Sequence, residues 1–190
     1  MKNIVVFASG FGSNFQAIID AVKHGKLHAN IVGLICDKPG AYAIERARIN
    51  GIPVALFERN TFSSKAYMDR AILNQCESWQ ADWLILAGYM RLLSPLLIQA
   101  YPRHIVNIHP SLLPKYRGLD AVGQALNQQE RIYGLTIHYV DEGMDTGDII
   151  VQVPFEVDAL DRDHIEKRLH ALEHVTYPAI INKLIVEECV

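Results

Sequence analysis

The chain has 190 residues, of which 50% are hydrophobic and 21% are charged, and its formal net charge at pH 7 is -3. That composition excludes a disordered chain, and the slight acidic excess excludes a basic surface for nucleic acid. No apolar run reaches the roughly 18 residues that cross a membrane. We therefore expect a single domain over residues 1–190 that lies in the cytoplasm and has neither nucleic-acid nor membrane partners.

The cysteines point to no structural site. Cys36, Cys76 and Cys189 are widely spaced, odd in number and without a C-x-x-C pair. A disulfide framework or a thiolate zinc site requires paired spacings. A reducing compartment is therefore expected.

Short β-branched runs alternate with amphipathic stretches along the chain. Strands are predicted at 4–8, 31–35, 54–57, 83–87, 105–108, 134–140 and 149–155. Helices are predicted at 15–25, 41–50 and 63–79, near residue 95, and over about 161–185. Strands that are apolar on both faces belong in a parallel sheet covered by helices. The sequence thus predicts an α/β fold: an open, mostly parallel, twisted sheet with helices on both faces, a late antiparallel strand and a long C-terminal helix.

A glycine-containing turn, SGFGSN at residues 9–14, follows the first strand and opens the first helix. The N–H groups and positive dipole end of a helix N-terminus bind anions. Dinucleotide and P-loop motifs both require glycine at position 15, where Phe15 stands, so both fail. What remains is a single-phosphate site formed by Gly12, Ser13 and Asn14. The alternative is a tight turn in which Ser13 caps the helix.

The segment Asn107-Ile108-His109-Pro110 ends a central strand, because proline cannot continue one. Side chains two residues apart share a face, so Asn107 and His109 project together while Ile108 enters the core. An amide beside an imidazole offers an oxyanion donor next to a proton-transfer group, which acyl transfer needs. A histidine satisfied by the backbone is the structural alternative.

An acidic loop at 141–148 joins the two late strands. The EF-hand spacing is absent, so calcium is not favoured, and a solvated turn is the alternative. Asp145 is the candidate partner of His109, because a nearby carboxylate favours the protonated form of a histidine.

Four segments carry a specific resemblance. They are GSN at 12–14, AGYMRLLSP at 87–95, NIHPSLLP at 107–114 and GMDTG at 143–147. In this order, over nearly the whole chain, they resemble the phosphoribosylglycinamide formyltransferases, a folate-dependent family of purine synthesis. The resemblance implies a Rossmann-like fold and transfer of the formyl group of 10-formyltetrahydrofolate to the amine of glycinamide ribonucleotide, without a metal.

The resemblance also implies residue roles. His109 is the general acid, Asn107 stabilises the oxyanion of the tetrahedral intermediate, and Asp145 supports protonated His109 and helps to move protons. The implied substrate-binding residues are Gly12, Ser13, Asn14 and Glu173. The implied folate-binding residues are Lys65, Met90, Arg91, Leu92, Leu93 and Asn107.

Some positions depart from the family pattern. Lys65 stands where several relatives have arginine, and Asp120 stands where some have histidine, which leaves a proton relay there open. Arg117-Gly118 resembles methionyl-tRNA formyltransferases. Their RNA-binding domain, and the regulatory domain of formyltetrahydrofolate hydrolases, are not expected within 190 residues. Both activities remain alternatives, and the oligomeric state, monomer or homodimer, stays open.

Two other functional classes, a zinc peptidase and a non-catalytic phosphate-binding module, are alternatives. The segment HALEH at 170–174 fits the H-x-x-E-H of inverted zinc peptidases, although the sequence fixes no third ligand. The helical stripe predicted to enter the core there leaves Glu173 on a neighbouring face. That stripe is Ile165, Leu169, Leu172 and Thr176. A non-catalytic phosphate-binding module would keep the glycine turn but have no use for Asn107, His109 and Asp145 together.

Overall fold

The computed structural model describes residues 1–188, so Cys189 lies outside the described part. The strands are β1 Lys2–Ala8, β2 Ala29–Cys36, β3 Val54–Leu56, β4 Trp83–Leu86, β5 Ile105–His109, β6 Ile132–Tyr139 and β7 Ile149–Glu156. The helices are α1 Ser13–Lys23, α2 Tyr42–Ile49, α3 Lys65–Ser78, α4 Pro95–Ala100, α5 Ala121–Asn127 and α6 Arg162–Glu187.

The strands form one sheet in the order β3-β2-β1-β4-β5-β6-β7. The pairs among β1 to β5 are parallel, while β6 pairs antiparallel with both β5 and β7. The predicted fold class is confirmed. Sequence analysis missed α5, a short helix that Asp120 caps by accepting from the Gly123 N–H, and a single 3₁₀ turn at Arg59–Thr61.

β1 lies inside this sheet between β2 and β4, and its alternate side chains enter two separate cores. Val5 and Phe7 pack with α3 and α4 on one face, while Ile4 and Val6 pack with α1 and α6 on the other. The chain runs from β1 to β2 on one side and later returns to β4 on the other. A crevice at the carboxyl ends of strands beside such a switch point is where open α/β sheets bind ligands.

The long helix α6 has a buried carboxyl group, that of Glu173. Leu169 is buried as predicted, but the buried stripe continues through Glu173 and Tyr177. Of the predicted continuation, Leu172 is partly buried and packs against the core, while Thr176 is only partly buried. Steps of four residues from Leu169 reach Glu173 and Tyr177, whose polar atoms find partners inside the protein.

Tyr177 joins α6 to the middle of the sheet. Its hydroxyl oxygen lies 2.8 Å from the carbonyl oxygen of Leu86 and 3.0 Å from that of Val106. These carbonyls belong to neighbouring strands, β4 and β5, so the helix is fixed against the edge of the sheet where the predicted site residues lie. Among the helices of residues 1–188, none combines the length and apolar character needed to cross a bilayer.

Candidate active site

A cavity of about 610 Å³ lies at the carboxyl ends of the central strands. Its volume falls within the range of roughly 300–1,000 Å³ that small-molecule sites occupy. Nearly all the residues predicted for the site line it, namely Gly12, Ser13, Asn14, Met90, Arg91, Leu92, Leu93, Asn107, His109, Asp145 and Glu173.

Asn107 and His109 face this cavity from the end of β5. Their spacing places both side chains on one face of the strand, while Ile108 between them is 6% exposed and belongs to the core. His109 is itself 5% exposed. The strand therefore holds an amide and an imidazole side by side, largely shielded from water.

The ring of His109 is held from both sides. Its Nε2 lies 2.8 Å from the carbonyl oxygen of Tyr116, which can only accept, so Nε2 carries a hydrogen. Its Nδ1 lies 3.4 Å from Oδ2 of Asp145. Tyr116 adopts a left-handed φ of 56°, part of the sharp turn that brings its carbonyl to the ring. The nitrogen left to exchange a proton is Nδ1.

Asp145 lies at the centre of the polar cluster. Its Oδ2 accepts a hydrogen bond of 2.9 Å from the Gly118 N–H, and its Oδ1 lies 3.4 Å from Nδ2 of Asn107 and 3.6 Å from Nε2 of His138. Burial raises the pKa of this carboxyl, but the Gly118 N–H and the charge of His109 act against burial, and the pKa is lowered. Asp145 is therefore ionised beside the two histidines at neutral pH.

His138 is a site residue that sequence analysis missed. It lies on β6 directly opposite Asn107, and its side chain is 3% exposed. Its Nδ1 lies 2.9 Å from the carbonyl oxygen of Tyr139, and its Nε2 lies 3.1 Å from Nδ2 of Asn107. A neutral ring with hydrogen on Nδ1 accepts from the amide, which fixes how the Asn107 side chain is turned.

The glycine turn has the shape of an anion site. Gly12 adopts a φ of 72°, and a Cβ there would lie 2.8 Å from the Cβ of Ala43, so both conformation and space require glycine. Gly12 is itself the N-cap of α1, and no side chain caps this helix, so the alternative that Ser13 is the cap is wrong. The first N–H groups of α1 are left without helical partners.

Glu173 reaches the same cavity from α6. Its Oε2 accepts a hydrogen bond of 2.9 Å from Nδ2 of Asn14, whose Oδ1 is buried and has no partner within residues 1–188. Burial raises the pKa of Glu173, although the Asn14 hydrogen bond and the charge of His170 oppose this. Two polar groups are thus held together at the wall of the cavity.

The loop after β4 contributes apolar surface. Its Met90 N–H donates to the Ser9 hydroxyl at 2.9 Å, which ties this loop to the one after β1. Its Met90 and Leu92 side chains line the cavity together with Met144 from the 141–148 loop, and each of the three is about half exposed. A flat, largely apolar ligand would cover them.

Two residues considered in the sequence analysis, Lys65 and Asp120, have ion-pair partners of their own. Lys65 is outside the cavity lining found among residues 1–188, and its ammonium donates to Asp69 at 2.7 Å. Asp120 does line the cavity, but its carboxylate pairs with Arg162 at 2.6 Å. A relay of protons through Asp120 would have to break that ion pair.

The zinc motif on α6 does not assemble. Glu173 accepts a hydrogen bond from Asn14. The rings of His170 and His174 stack with centroids 6.2 Å apart. Within the described residues, no three His, Cys, Asp or Glu side chains converge in a way that could hold a metal ion.

Comparison with known proteins decides the family. A family model described as "Formyl transferase" matches residues 2–181. The chain belongs to the formyl transferase family. Phosphoribosylglycinamide formyltransferase of Bacillus subtilis is 48% identical over 186 residues, which cover 97% of this chain and 95% of the relative.

Members of the formyl transferase family with solved structures share the fold closely. Glycinamide ribonucleotide transformylase 1 of Geobacillus kaustophilus superimposes with a TM-score of 0.94 at 48% identity, over 97% of this chain and 98% of that chain. A trifunctional purine biosynthetic protein of Drosophila melanogaster is 41% identical over 97% of this chain, a segment that is 14% of its own length.

Proposed function

We propose that this chain transfers the formyl group of 10-formyltetrahydrofolate to the amine of N1-(5-phospho-D-ribosyl)glycinamide in purine synthesis, as one catalytic domain over residues 1–190. The observation that carries this proposal is the convergence of Asn107, His109 and Asp145 in one cavity with the glycine turn. The names of the relatives supply the acceptor.

The apolar part of the cavity supports a folate-binding role. Exposed apolar side chains of Met90, Leu92 and Met144 would cover the pterin, and backbone groups around Arg91 and Leu93 would bind its edge. 10-Formyltetrahydrofolate supplies an electrophilic formyl carbon. Lys65 would reach folate only after leaving Asp69, so we assign it a place beyond the pterin pocket.

His109 acts as the general acid of the formyl transfer. Because its Nε2–H is held by the Tyr116 carbonyl, Nδ1 is the atom that gives up or takes a proton. Asp145 lies 3.4 Å from Nδ1, and an ionised carboxylate there stabilises the imidazolium. A positioned general acid contributes about 10² to 10⁴ in rate.

Asn107 binds the oxygen that gains negative charge during transfer. Its Nδ2 has two hydrogens: one is donated to Nε2 of His138, and the other, now 3.4 Å from Oδ1 of Asp145, would leave that carboxylate to bind the oxyanion. One preorganised donor of this kind is worth roughly 2.7–4 kcal/mol. No step assigned to these residues needs a metal.

The phosphate of the ribonucleotide would be held by Gly12, Ser13 and Asn14 at the start of α1. Glu173, which is hydrogen-bonded to Asn14, would accept hydrogen bonds from the ribose hydroxyls. The substrates are thus small molecules. We infer a cytoplasmic setting, which suits the free, buried thiols of Cys36 and Cys76.

The test is an acceptor panel. Formyl transfer is followed by folate absorbance with glycinamide ribonucleotide, with methionyl-tRNA, and with water alone, each with and without EDTA. We expect turnover only with the ribonucleotide and no effect of EDTA. Turnover with water or tRNA would instead support the hydrolase or the methionyl-tRNA alternative. Loss of turnover in EDTA would instead support a metal enzyme.

A further inference from the structure

The glycine turn is held from behind by helix α2. The Ala43 N–H donates to the carbonyl oxygen of Gly10 at 3.1 Å, and Arg46 Nε donates to the carbonyl oxygen of Phe11 at 2.9 Å. Two consecutive carbonyls of the turn are therefore bound on the α2 side. Residues 10–14 line the cavity, whereas no residue of α2 does within the described chain.

Holding these carbonyls also orients the N–H groups. In a trans peptide the C=O and the following N–H point in opposite directions. Fixing the Phe11 carbonyl toward Arg46 thus turns the Gly12 N–H away from α2, toward the cavity. In the same way, the hydrogen bond from the Ala43 N–H fixes the Gly10 carbonyl toward α2, and so turns the Phe11 N–H toward the cavity. Successive N–H groups presented in this way form a concave anion site.

Arg46 is built into this position. Its guanidinium lies 4.5 Å from the ring centroid of Phe11 and 4.9 Å from that of Tyr42, and the two rings stack with centroids 5.1 Å apart. Its Nη1 donates to Oε1 of Gln16 on α1 at 3.2 Å. One side chain therefore links the turn, α1 and α2 while carrying a positive charge close to the anion site.

We propose that Arg46 is a positioning residue for the substrate phosphate: through the Phe11 carbonyl it presets the Gly12 N–H that receives the phosphate. This inference rests on the proposed function only in taking that phosphate to be the ribonucleotide's. Arg46 does not line the cavity, so it acts through the turn and through its charge. Lysine would keep the charge and lose the planar, two-point hold.

The test compares Arg46→Gln and Arg46→Lys with Arg48→Gln, a matched loss of charge on the same helix at a 73% exposed side chain. For Arg46→Gln we expect the KM for the ribonucleotide and the inhibition constant of inorganic phosphate to rise together, by about 10- to 100-fold. The kcat and the KM for folate should change little. Arg46→Lys should lie between, and Arg48→Gln should match the wild type.

A substrate without phosphate separates positioning from general damage. With glycinamide riboside, Arg46→Gln and the wild type should have equal kcat/KM. Equal losses with riboside and ribonucleotide, or unchanged inhibition by phosphate, would overturn the inference. If Arg46→Gln does not fold, the riboside and the ribonucleotide are compared in Arg46→Lys instead.

Direct titration with inorganic phosphate distinguishes this inference from the proposed function. If the wild type binds phosphate and Arg46→Gln binds it less tightly, the inference stands even where the ribonucleotide proves not to be the acceptor. Phosphate affinity that is the same in both proteins contradicts the inference whatever the acceptor.

Discussion

Nε2 of His138 lies 3.1 Å from Nδ2 of Asn107, across a pair of directly opposed residues on β6 and β5. The amide cannot turn over without presenting its oxygen to a ring nitrogen that has no hydrogen to give. The antiparallel strand therefore contributes to the site by fixing the donor end of Asn107. This makes His138 a positioning residue in the proposed transfer.

Replacing His138 by phenylalanine should lower kcat by about tenfold, the value of one neutral hydrogen bond. The KM for either substrate should change little, because the amide is still present but no longer held. His138→Gln, which keeps an acceptor, should recover part of the loss. Steady-state kinetics checks this, and an equal loss in both variants would show that packing rather than the hydrogen bond matters.

Replacing Asp145 by asparagine should reduce stability at neutral pH. The folded-state pKa of Asp145 is lowered, so its contribution is present above the ordinary carboxyl pKa of 3.8 and is lost as pH falls through the folded value. Urea unfolding from pH 7 to pH 3 should show a gap from wild type that closes only at the acid end. Asp148→Asn, at an exposed ion pair, is the control and should cost about 1 kcal/mol or less.

Replacing Glu173 by glutamine should have the opposite effect on stability. Burial raises the pKa of this carboxyl, so its favourable contribution is full below the ordinary value of 4.5 and is lost as pH rises through the folded value. Glu173→Gln should therefore be more stable than wild type at pH 8 and similar to it near pH 4. Glu187→Gln, at an exposed site on the same helix, should show no such trend.

Replacing Gly12 by alanine should impair phosphate binding and stability together. The added Cβ would sit 2.8 Å from that of Ala43, and the φ of 72° is strained for alanine by about 1–3 kcal/mol. The KM for the ribonucleotide should rise while the KM for folate does not. Gly40→Ala, where a Cβ meets nothing within 4 Å, is the control. Equal kinetics in both variants would contradict a phosphate role for the turn.

Local periodicity was enough to place the first part of the site. The alternation of strands and helices gave the sheet, and a spacing of two along β5 predicted that Asn107 and His109 share a face. The turn after β1 was readable because glycine is required where φ is positive. These features depend on neighbours in sequence.

The rest depends on contacts distant in sequence. His138 enters the site through the register of β5 against β6, which no local pattern specifies. The Tyr116 carbonyl that holds His109 is a backbone group, and so is invisible to motif reading. Glu173 was predicted beside the core stripe of α6, but its partner Asn14, 159 residues earlier, lets it occupy the stripe.

The most direct test is His109→Asn, assayed for single-turnover formyl transfer to glycinamide ribonucleotide alongside equilibrium binding of both substrates. Asparagine fits the space but cannot exchange a proton at the position of Nδ1. Transfer should fall by about 10² to 10⁴ while both dissociation constants stay near those of the wild type. Transfer within a few-fold of wild type would contradict the assignment of His109 as the proton-transfer group.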